Sequence, residues 1–235
     1  MLSVVIPTLN TAAELPATFA ALGAALGAAL GAALGAAPDE VLPYEVLVVD
    51  GGSTDGTKQA AAAHGARVLL APRGRGGQLA TGVAAATQPW LLLLHADTRL
   101  GPGWAAAATA HMRETPDRAA YFRFALDSDD PHARRLERLV AWRCRALALP
   151  YGDQGLLLHR ELLRAVGGIR PLPLMEDVDL IRRLGRRRLI GLDIPATTSA
   201  AKWRRDGWYG RSARNLACLA LYFAGLPPGL IARLY

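Results

Sequence analysis

Short apolar runs separated by helical stretches make up the first half of the chain. The runs are continuously apolar rather than alternating, which is typical of strands covered on both faces in a parallel sheet. We predict strands at residues 2–7, 44–50, 66–71 and 90–97, and helices at 11–37, 55–64 and 76–87. This order predicts an α/β fold with right-handed crossover connections.

The second half has a less regular pattern. Strands are predicted at residues 120–126, 155–160 and 188–194, and helices at 131–149, 161–168 and from about Glu176. Helix 131–149 carries an apolar stripe opposite arginines, formed by Leu136, Leu139, Val140, Cys144 and Leu147. The tail, 203–235, combines a basic and aromatic stretch with an apolar helix and a second short helix.

A four-residue unit, Gly-Ala-Ala-Leu, repeats through residues 23–38. Alanine and leucine favour a helix, whereas each glycine weakens it by about 1 kcal/mol. We interpret the repeat as an extension of the first crossover helix. A homodimer contact through its glycine stripe is the alternative.

Composition narrows the class of protein. With 51% hydrophobic and 20% charged residues the chain is an ordinary folded protein. Its net charge of +7 favours anionic partners such as phosphates, nucleotides or acidic lipid surfaces. Nucleic acid is not expected, because no recognition motif or stacking platform accompanies the charge.

Targeting signals and cysteines indicate the compartment. The sequence shows neither a signal peptide nor an apolar run of ~20 residues, so a cytoplasmic location is expected. Cys144 and Cys218 lie in separate apolar patterns. We expect both to be buried and not joined in a disulfide.

Acidic residues end two of the predicted strands. Asp50 closes the second and Asp97 the fourth, and ligands of open α/β sheets bind outside the carboxyl ends of the strands. Two carboxylates there fit a nucleotide with a metal on its diphosphate, since Mg²⁺ and Mn²⁺ prefer oxygen ligands. Alone, each aspartate is more typical of a helix cap or a turn.

Three loops carry further candidate residues. Gly51 lies in the turn GGSTDGT, and glycine permits the close approach of a ligand. Arg73 and Arg75 precede a helix in PRGRGGQ, which suits phosphate binding, although a solvated basic loop has the same composition. Asp153 and Gln154 lie in YGDQG, which suits hydroxyl recognition or simply a turn.

Glu176 and Asp177 begin a predicted helix in LMEDVDL. Acidic residues in a first turn complement the helix dipole, so a purely structural role is the simpler interpretation. The glycine- and proline-rich approach to this helix instead favours a functional carboxylate. Such a group can serve as a general base.

Six segments, taken in order, resemble glycosyltransferase family 2, the inverting nucleotide-sugar transferases of GT-A fold. They are SVVIPTLN (3–10), VLVVDGGSTDGT (46–57), LLLLHADT (91–98), GDQG (152–155), MEDVDL (175–180) and SAAKW (199–203). More narrowly, PRGRGGQ, LHADTRL, LPYGDQG and PLPLMEDVDL are similar to a subgroup of short single-domain bacterial members.

This resemblance implies the architecture. We expect a Rossmann-like, mostly parallel central sheet with helices on both faces and a C-terminal helical tail. The catalytic domain would cover residues 1–200, with a nucleotide-binding half at about 1–100 and an acceptor half at 101–200. The tail would cover residues 201–235.

The resemblance also implies the donor site. Pro7, Thr8 and Asn10 would line the base and ribose pocket, Asp50 would bind the nucleobase, and Gly51 would belong to the same nucleotide-sugar site. The nucleotide-sugar site would further include Arg73, Arg75, Gln78, His95 and Asp97.

A divalent cation, Mg²⁺ or Mn²⁺, is the cofactor that the resemblance implies. Asp97 would be the metal-binding carboxylate of the family's Asp-x-Asp motif, and His95 stands where its first aspartate is usual. His95 would ligate the metal, hydrogen-bond a phosphate or ribose, or only pack. Because side chains alternate along a strand, the two should project to the same side.

Asp177 matches the family's catalytic base. Asp153, Gln154 and Glu176 would contact the acceptor or the diphosphate. Lys202 and Trp203 would do the same, although they match the family's Gln-x-x-Arg-Trp motif only in part.

The predicted reaction is inverting transfer of a sugar, from a UDP-sugar in preference, to the hydroxyl of an unidentified acceptor. A nucleotidyltransferase is one alternative, but VIPTLNTAAEL (5–15) lacks the glycine-rich, basic loop that such enzymes carry. A non-catalytic, nucleotide-binding peripheral membrane protein is another, because residues 202–226 are basic, aromatic and then apolar. This tail would lie in the interface at the inner face of the membrane, or form a lid over the acceptor site.

Overall fold

The computed structural model describes residues 1–26 and 44–234, which form one eight-stranded sheet covered by helices. The strands are β1 (Leu2–Thr8), β2 (Tyr44–Asp50), β3 (Arg67–Leu70), β4 (Trp90–Leu93), β5 (Thr98–Leu100), β6 (Ala119–Leu126), β7 (Leu156–His159) and β8 (Leu189–Thr198). The helices are α1 (Leu15–Leu26), α2 (Thr57–Ala63), α3 (Arg75–Ala85), α4 (Trp104–Glu114), α5 (Pro131–Leu147), α6 (Arg160–Ala165), α7 (Glu176–Leu184), α8 (Ala201–Asp206), α9 (Trp208–Phe223) and α10 (Pro228–Leu234).

The strand order is β3-β2-β1-β4-β7-β6-β8-β5. Strands β3, β2, β1 and β4 are parallel, as are β6 and β8, whereas β7 and β5 run antiparallel to their neighbours. After β1 the chain forms β2 and β3 on one side of that strand, and it then returns to form β4 on the other side. This change of direction opens a crevice at the carboxyl ends of β1, β2 and β4. The predicted α/β fold with a mostly parallel sheet is confirmed.

Helices cover both faces of the sheet. Leu2, Val4 and Ile6 of β1 belong to a core that includes residues of α1, α2 and α4. Val5, which points the other way, belongs to a second core with residues of α3, α6 and α7. Helix α3 lies very close to the sheet, since a Cβ on Gly82 would come within 2.3 Å of Val5 Cγ1.

A third hydrophobic cluster joins helix α5 and the C-terminal tail to strand β6. Its buried members are Phe124, Leu126, Ala133, Val140, Cys144 and Ala200, with Trp203 and Trp208 packed against them. The stripe predicted for α5 is wrong at Leu139 and Leu147, which are exposed. The helix turns a narrower face to the sheet, so only part of the stripe finds apolar partners.

The strand predicted over residues 90–97 is shorter than expected. Strand β4 ends at Leu93, residues 94–97 form a turn, and the unpredicted strand β5 follows at the far edge of the sheet, antiparallel to β8. Strand β4 pairs with β7 only as far as Leu93, opposite Leu156. The alternation argument for His95 and Asp97 is therefore wrong, because neither residue is in a strand.

Cys144 and Cys218 are buried and form no disulfide within the described residues, as predicted. The Gly-Ala-Ala-Leu repeat lies in α1 up to Leu26, and its remainder lies outside the described residues, together with the predicted dimer contact. Within the described ranges, every helix is too short or too polar to cross a membrane.

Candidate active site

A cavity of about 160 Å³ opens beyond the carboxyl end of β4, beneath the C-terminal tail. Its wall, which is partly polar and partly apolar, is formed by helices α3, α7, α8 and α9, by strand β8, and by the segments at 95–97, 151–153 and 174–175. The lining residues are Arg75, His95, Asp97, Tyr151, Asp153, Leu174, Met175, Asp177, Val178, Thr198, Lys202, Trp203, Arg211, Asn215, Cys218 and Leu219. Seven residues proposed from sequence are therefore brought together here.

His95 and Asp97 enter the cavity from the turn after β4. Gly152 lies against His95, since a Cβ added to this glycine would be 2.5 Å from His95 Nε2 and 3.4 Å from Asp177 Oδ2. Lys202 Nζ lies 3.5 Å from Asp97 Oδ2. The histidine and aspartate of this turn thus share one small space with Asp177 of α7 and Lys202 of α8.

Asp177 is held in the first turn of α7 by two backbone N–H groups. Gly152 N donates to Asp177 Oδ2 at 2.9 Å, and Val178 N donates to Asp177 Oδ1 at 2.8 Å. Met175, just before the helix, has a left-handed conformation with φ of 64°, so the chain turns sharply into α7. The carboxylate is consequently fixed in orientation while it faces the cavity.

Glu176 is 3% exposed and is not among the residues that line the cavity. Arg75 Nε lies 2.8 Å from its Oε1, which connects the start of α3 to the start of α7. Burial and the neighbouring Asp177 carboxylate raise the pKa of Glu176 to about 7, against the opposing effect of Arg75. The pair therefore positions the Arg75 guanidinium, which itself lines the cavity.

Asp153 and Gln154 are adjacent in sequence but occupy different environments. Gln154 is buried, donates from Nε2 to Phe122 O at 2.9 Å and accepts from Tyr151 N at 3.2 Å. Asp153 lines the cavity, and its buried Oδ1 has no hydrogen-bond partner among the described residues. Burial raises the pKa of Asp153 to about 6, and the carboxylates of Asp177 and Asp97 add to this effect.

The tail forms one wall of the cavity. Trp203 of α8 and four residues of α9 line it: Arg211, Asn215, Cys218 and Leu219. The Trp203 Nε1 and Asn215 Oδ1 atoms are buried and have no hydrogen-bond partner in the part of the chain that the structure describes. Arg211 is paired with Asp206 at 2.8 Å and lies 5.4 Å from the Trp203 ring.

Sequence reasoning missed the α9 residues. Their spacing of four, three and one places them on one side of a helix, and the available signal was the separation of four between the polar residues Arg211 and Asn215. Tyr151 also lines the cavity, and it was missed because it lies just before the glycine-flanked turn that contains Asp153 and Gln154.

A second polar region lies at the carboxyl ends of β1 and β2. Asp50 has no exposed surface and accepts hydrogen bonds from Gly52 N at 3.0 Å, Ser53 N at 2.9 Å, Thr8 Oγ1 at 3.3 Å and the Ser53 hydroxyl. Burial alone would raise the pKa of Asp50, but these hydrogen bonds lower it below its ordinary value. The carboxylate thus organises the turn that follows β2.

Neighbouring side chains in this second region also form hydrogen bonds within the protein. Gln78 Nε2 donates to Thr8 O and to Val49 O, both at 2.7 Å, and bridges the two strand ends. Asn10 N donates to Ser53 Oγ at 2.8 Å, and Asn10 Oδ1 accepts from Thr54 N at 2.9 Å. A Cβ on Gly51 would lie 3.1 Å from Gln78 Nε2.

Not every residue proposed from sequence reaches the cavity. Those outside its lining are Pro7, Thr8, Asn10, Asp50, Gly51, Arg73, Gln78, Gln154 and Glu176. Most lie at the β1 and β2 ends, Arg73 is exposed in the loop before α3, and the last two are buried behind the cavity wall.

His95 and Asp97 fit a divalent cation only if other ligands complete its shell. Among the described residues, no group of three or more His, Cys, Asp or Glu side chains is placed to hold a metal. Burial, with Arg75 nearby, lowers the pKa of His95 to about 4, so its imidazole is neutral and can donate a lone pair. Burial would raise the pKa of Asp97, but the Lys202 ammonium and a backbone hydrogen bond help to lower it below its ordinary value, so this carboxylate is charged. Two protein donors suit a cation whose remaining ligands are diphosphate oxygens and water.

Comparison with known proteins gives a family match over most of the chain. The model of the family described as "Glycosyl transferase family 2" matches residues 3–171. An uncharacterized glycosyltransferase of Mycobacterium tuberculosis is 38% identical over 102 residues, which are 43% of this chain and 38% of that protein. The N-acetylglucosaminyl-diphospho-decaprenol L-rhamnosyltransferase of Mycobacterium tuberculosis is 27% identical, over 66% of this chain and 65% of its own length. The chain thus matches less than two thirds of the length of either relative.

Solved structures share the fold. Glucosyl-3-phosphoglycerate synthase from Mycobacterium tuberculosis, in complex with Mn²⁺ and uridine-diphosphate-glucose, has a TM-score of 0.63 and 20% identity, covering 97% of this chain and 80% of that one. Mannosyl-3-phosphoglycerate synthase from Rubrobacter xylanophilus has a TM-score of 0.61 and 20% identity, covering 96% and 75%. At this identity the likeness establishes the GT-A fold alone.

Proposed function

Because the chain belongs to glycosyltransferase family 2, we propose that it transfers a sugar from a nucleoside-diphosphate sugar to an acceptor hydroxyl, with inversion at the anomeric carbon. The observation that carries the proposal is the convergence of Asp97 and Asp177, from distant parts of the chain, on one cavity lined by three basic side chains. UDP-sugars are the favoured donors, since a neighbour with this fold binds UDP-glucose with Mn²⁺.

The diphosphate binds on the side of the cavity formed by His95, Asp97, Arg75 and Lys202. His95 and Asp97 would hold the divalent cation through a neutral nitrogen and a charged carboxylate. When bound, this cation stabilises the negative charge that develops on the departing nucleoside diphosphate. The Arg75 guanidinium and the Lys202 ammonium neutralise the phosphates from the two sides of the same space.

The base and ribose bind at the ends of β1 and β2. Here Pro7 and Thr8 end β1, Asp50 ends β2, Asn10 and Gly51 lie just beyond these ends, and the buried Gln78 amide holds the two strand ends together. Arg73, in the exposed loop before α3, meets the phosphates. Since the Asp50 carboxylate is occupied by internal hydrogen bonds, it acts by presenting the turn that follows β2 to the base.

Asp177 is the general base. The acceptor hydroxyl gives its proton to the carboxylate as its oxygen forms a bond to the anomeric carbon, and the bond from that carbon to the diphosphate oxygen breaks. The backbone N–H groups of Gly152 and Val178 fix the carboxylate in place, so the alignment of base and acceptor requires little reorganisation. The leaving group departs on the opposite face, which inverts the sugar.

The acceptor lies against the tail. The unpaired polar atoms of Asp153, Trp203 and Asn215 lie in the cavity wall, and they form hydrogen bonds to acceptor hydroxyls. Cys218 and Leu219 of α9 give this part of the cavity an apolar surface. These contacts support the lid over the acceptor site that we considered for residues 202–226.

Thermal shift and product analysis with UDP-, GDP- and dTDP-sugars in the presence of Mn²⁺ test this function. We expect one donor class to raise the melting temperature in a Mn²⁺-dependent way and to be slowly hydrolysed to the nucleoside diphosphate and free sugar. Asp97→Asn should lose the Mn²⁺ dependence, whereas Asp129→Asn, at an exposed site, should not. Release of pyrophosphate would instead indicate a nucleotidyltransferase, and binding without turnover would indicate a non-catalytic protein.

A further inference from the structure

The outward side of helix α9 is almost free of charge. Tyr209, Leu216 and Phe223 are 72%, 66% and 47% exposed and recur every seven residues, so they lie along one side of the helix. Small apolar residues, Ala213 and Ala220, are exposed between them. A helix in contact with water normally turns polar residues outward, so this side, which we term the outer face, is suited to an apolar neighbour.

The tail that carries this outer face is strongly basic, and the Arg182 guanidinium lies 4.9 Å from the ring of Phe223 at its end. Between residues 201 and 234 the chain has six basic side chains and one acidic side chain, Asp206. Arg205, Arg211 and Arg214 all reach Asp206, at 2.7, 2.8 and 3.5 Å, so one carboxylate is shared among three guanidinium groups. The tail therefore holds most of the net charge of +7.

We propose that the outer face docks on the surface of an anionic lipid bilayer. Exposed aromatic and aliphatic side chains on one helix, within a strongly basic segment, have the composition of a helix that lies in a membrane interface. The excess positive charge complements anionic headgroups, each basic residue near the surface contributing roughly 1 kcal/mol. A second copy of the chain fits less well, because two tails with the same excess charge repel each other.

The same helix closes the cavity with its other side. Arg211, Asn215 and Cys218 line the cavity, whereas Leu216 and Ala220 point outward. Docking would thus place the bilayer directly over the tail wall of the cavity. This inference rests on the surface alone and does not depend on the proposed reaction.

Vesicle co-sedimentation of the full chain tests the proposal. The probes are vesicles of phosphatidylcholine alone and of phosphatidylcholine with an equal part of phosphatidylglycerol. The variant is Leu216→Glu, and the matched control is Leu70→Glu on β3, because Leu70 is also a leucine and is 71% exposed. Circular dichroism melting curves confirm that both variants fold.

We expect the wild-type protein and Leu70→Glu to sediment with the anionic vesicles and to be released by salt. Leu216→Glu should bind them at least about tenfold more weakly, because a carboxylate enters the interface and meets anionic headgroups. Failure of the wild-type protein to sediment, or equal binding by both variants, would overturn the proposal. So would light scattering that shows a dimer which Leu216→Glu dissociates, since the occupant would then be a second copy.

Discussion

Two polar regions at the carboxyl ends of the strands differ in how their side chains are satisfied. At the ends of β1 and β2, Asp50 and Gln78 are buried and every contact described for them is made within the protein. In the cavity, Asp153, Trp203 and Asn215 each bury a polar atom that lacks a partner within the described residues. Asp50 and Gln78 are thus satisfied internally, although Thr11 Oγ1 in the loop after β1 is buried without a partner among the described residues, whereas the second region presents three such residues to one cavity.

The energetic contrast between the two regions is large. Leaving a buried donor or acceptor unpaired costs about 1–3 kcal/mol, so such groups are rare unless they serve a ligand. Proteins keep such local conflicts mainly at functional sites. We therefore expect substitutions at the strand ends to reduce stability, and those in the cavity to reduce activity.

The largest effect should come from Asp97→Asn. We expect turnover to fall roughly a thousandfold, because the charge stabilisation that a metal provides is several kcal/mol. The melting temperature without ligand should change little, since the ion pair of Asp97 with Lys202 is long, at 3.5 Å, and the Lys202 side chain is 55% exposed. Steady-state kinetics with Mn²⁺ and differential scanning calorimetry measure the two quantities; a folded variant with undiminished turnover would exclude Asp97 as a metal ligand.

Asp50→Ala and Asp153→Asn compare the two regions directly. Asp50→Ala should lower the free energy of unfolding by roughly 3 kcal/mol, because it leaves several buried donors unpaired. Asp153→Asn should instead raise the free energy of unfolding at neutral pH, because it removes a buried charge with little internal pairing. Urea denaturation at neutral pH measures both, and equal losses would remove the distinction between the regions.

The acceptor wall should give a smaller effect on activity. We expect Asn215→Leu to raise the acceptor KM about tenfold, since one buried hydrogen bond contributes about 1 kcal/mol or slightly more. Donor hydrolysis without acceptor and the affinity for UDP with Mn²⁺ should stay as in the wild-type protein. Weaker donor binding in this variant would place Asn215 at the nucleotide instead.

The smallest effect is a pH dependence at Asp153. The folded protein binds this proton more tightly than the unfolded chain, because burial raises the pKa from 3.8 to about 6. The stabilisation is therefore complete below pH 3.8 and is lost as the pH rises through about 6. The melting temperature of Asp153→Asn should increase relative to the wild-type value across this range, and a constant difference would show that the Asp153 carboxyl does not titrate there.

The sequence predicted the elements of the sheet and the residues of the cavity better than it predicted their connections. Continuous apolar runs predicted β1, β2 and β4 correctly because those strands are buried on both faces. The turn at residues 94–97 was missed, since it is decided by the short pairing of β4 with β7 and by the distant partner of β5. Neither pairing leaves a local pattern.

The role of the tail could not be predicted from the sequence either. An apolar helix with basic ends is compatible with a membrane interface and with a lid, and only the tertiary packing of Trp203 and Trp208 on β6 places α9 over the cavity. The roles of Asp50 and Gln78 could not be resolved either. Hydrogen bonds between strand ends depend on distances that no spacing along the chain encodes.

The central claim is that Asp177 removes the acceptor proton in a cavity where the donor already sits. Single-turnover transfer by Asp177→Asn, measured beside its affinity for the donor with Mn²⁺, tests this claim most directly. We predict at least a roughly hundredfold slower transfer with donor affinity within about threefold of the wild-type value, as for the loss of a general base. Transfer at the wild-type rate would contradict the account.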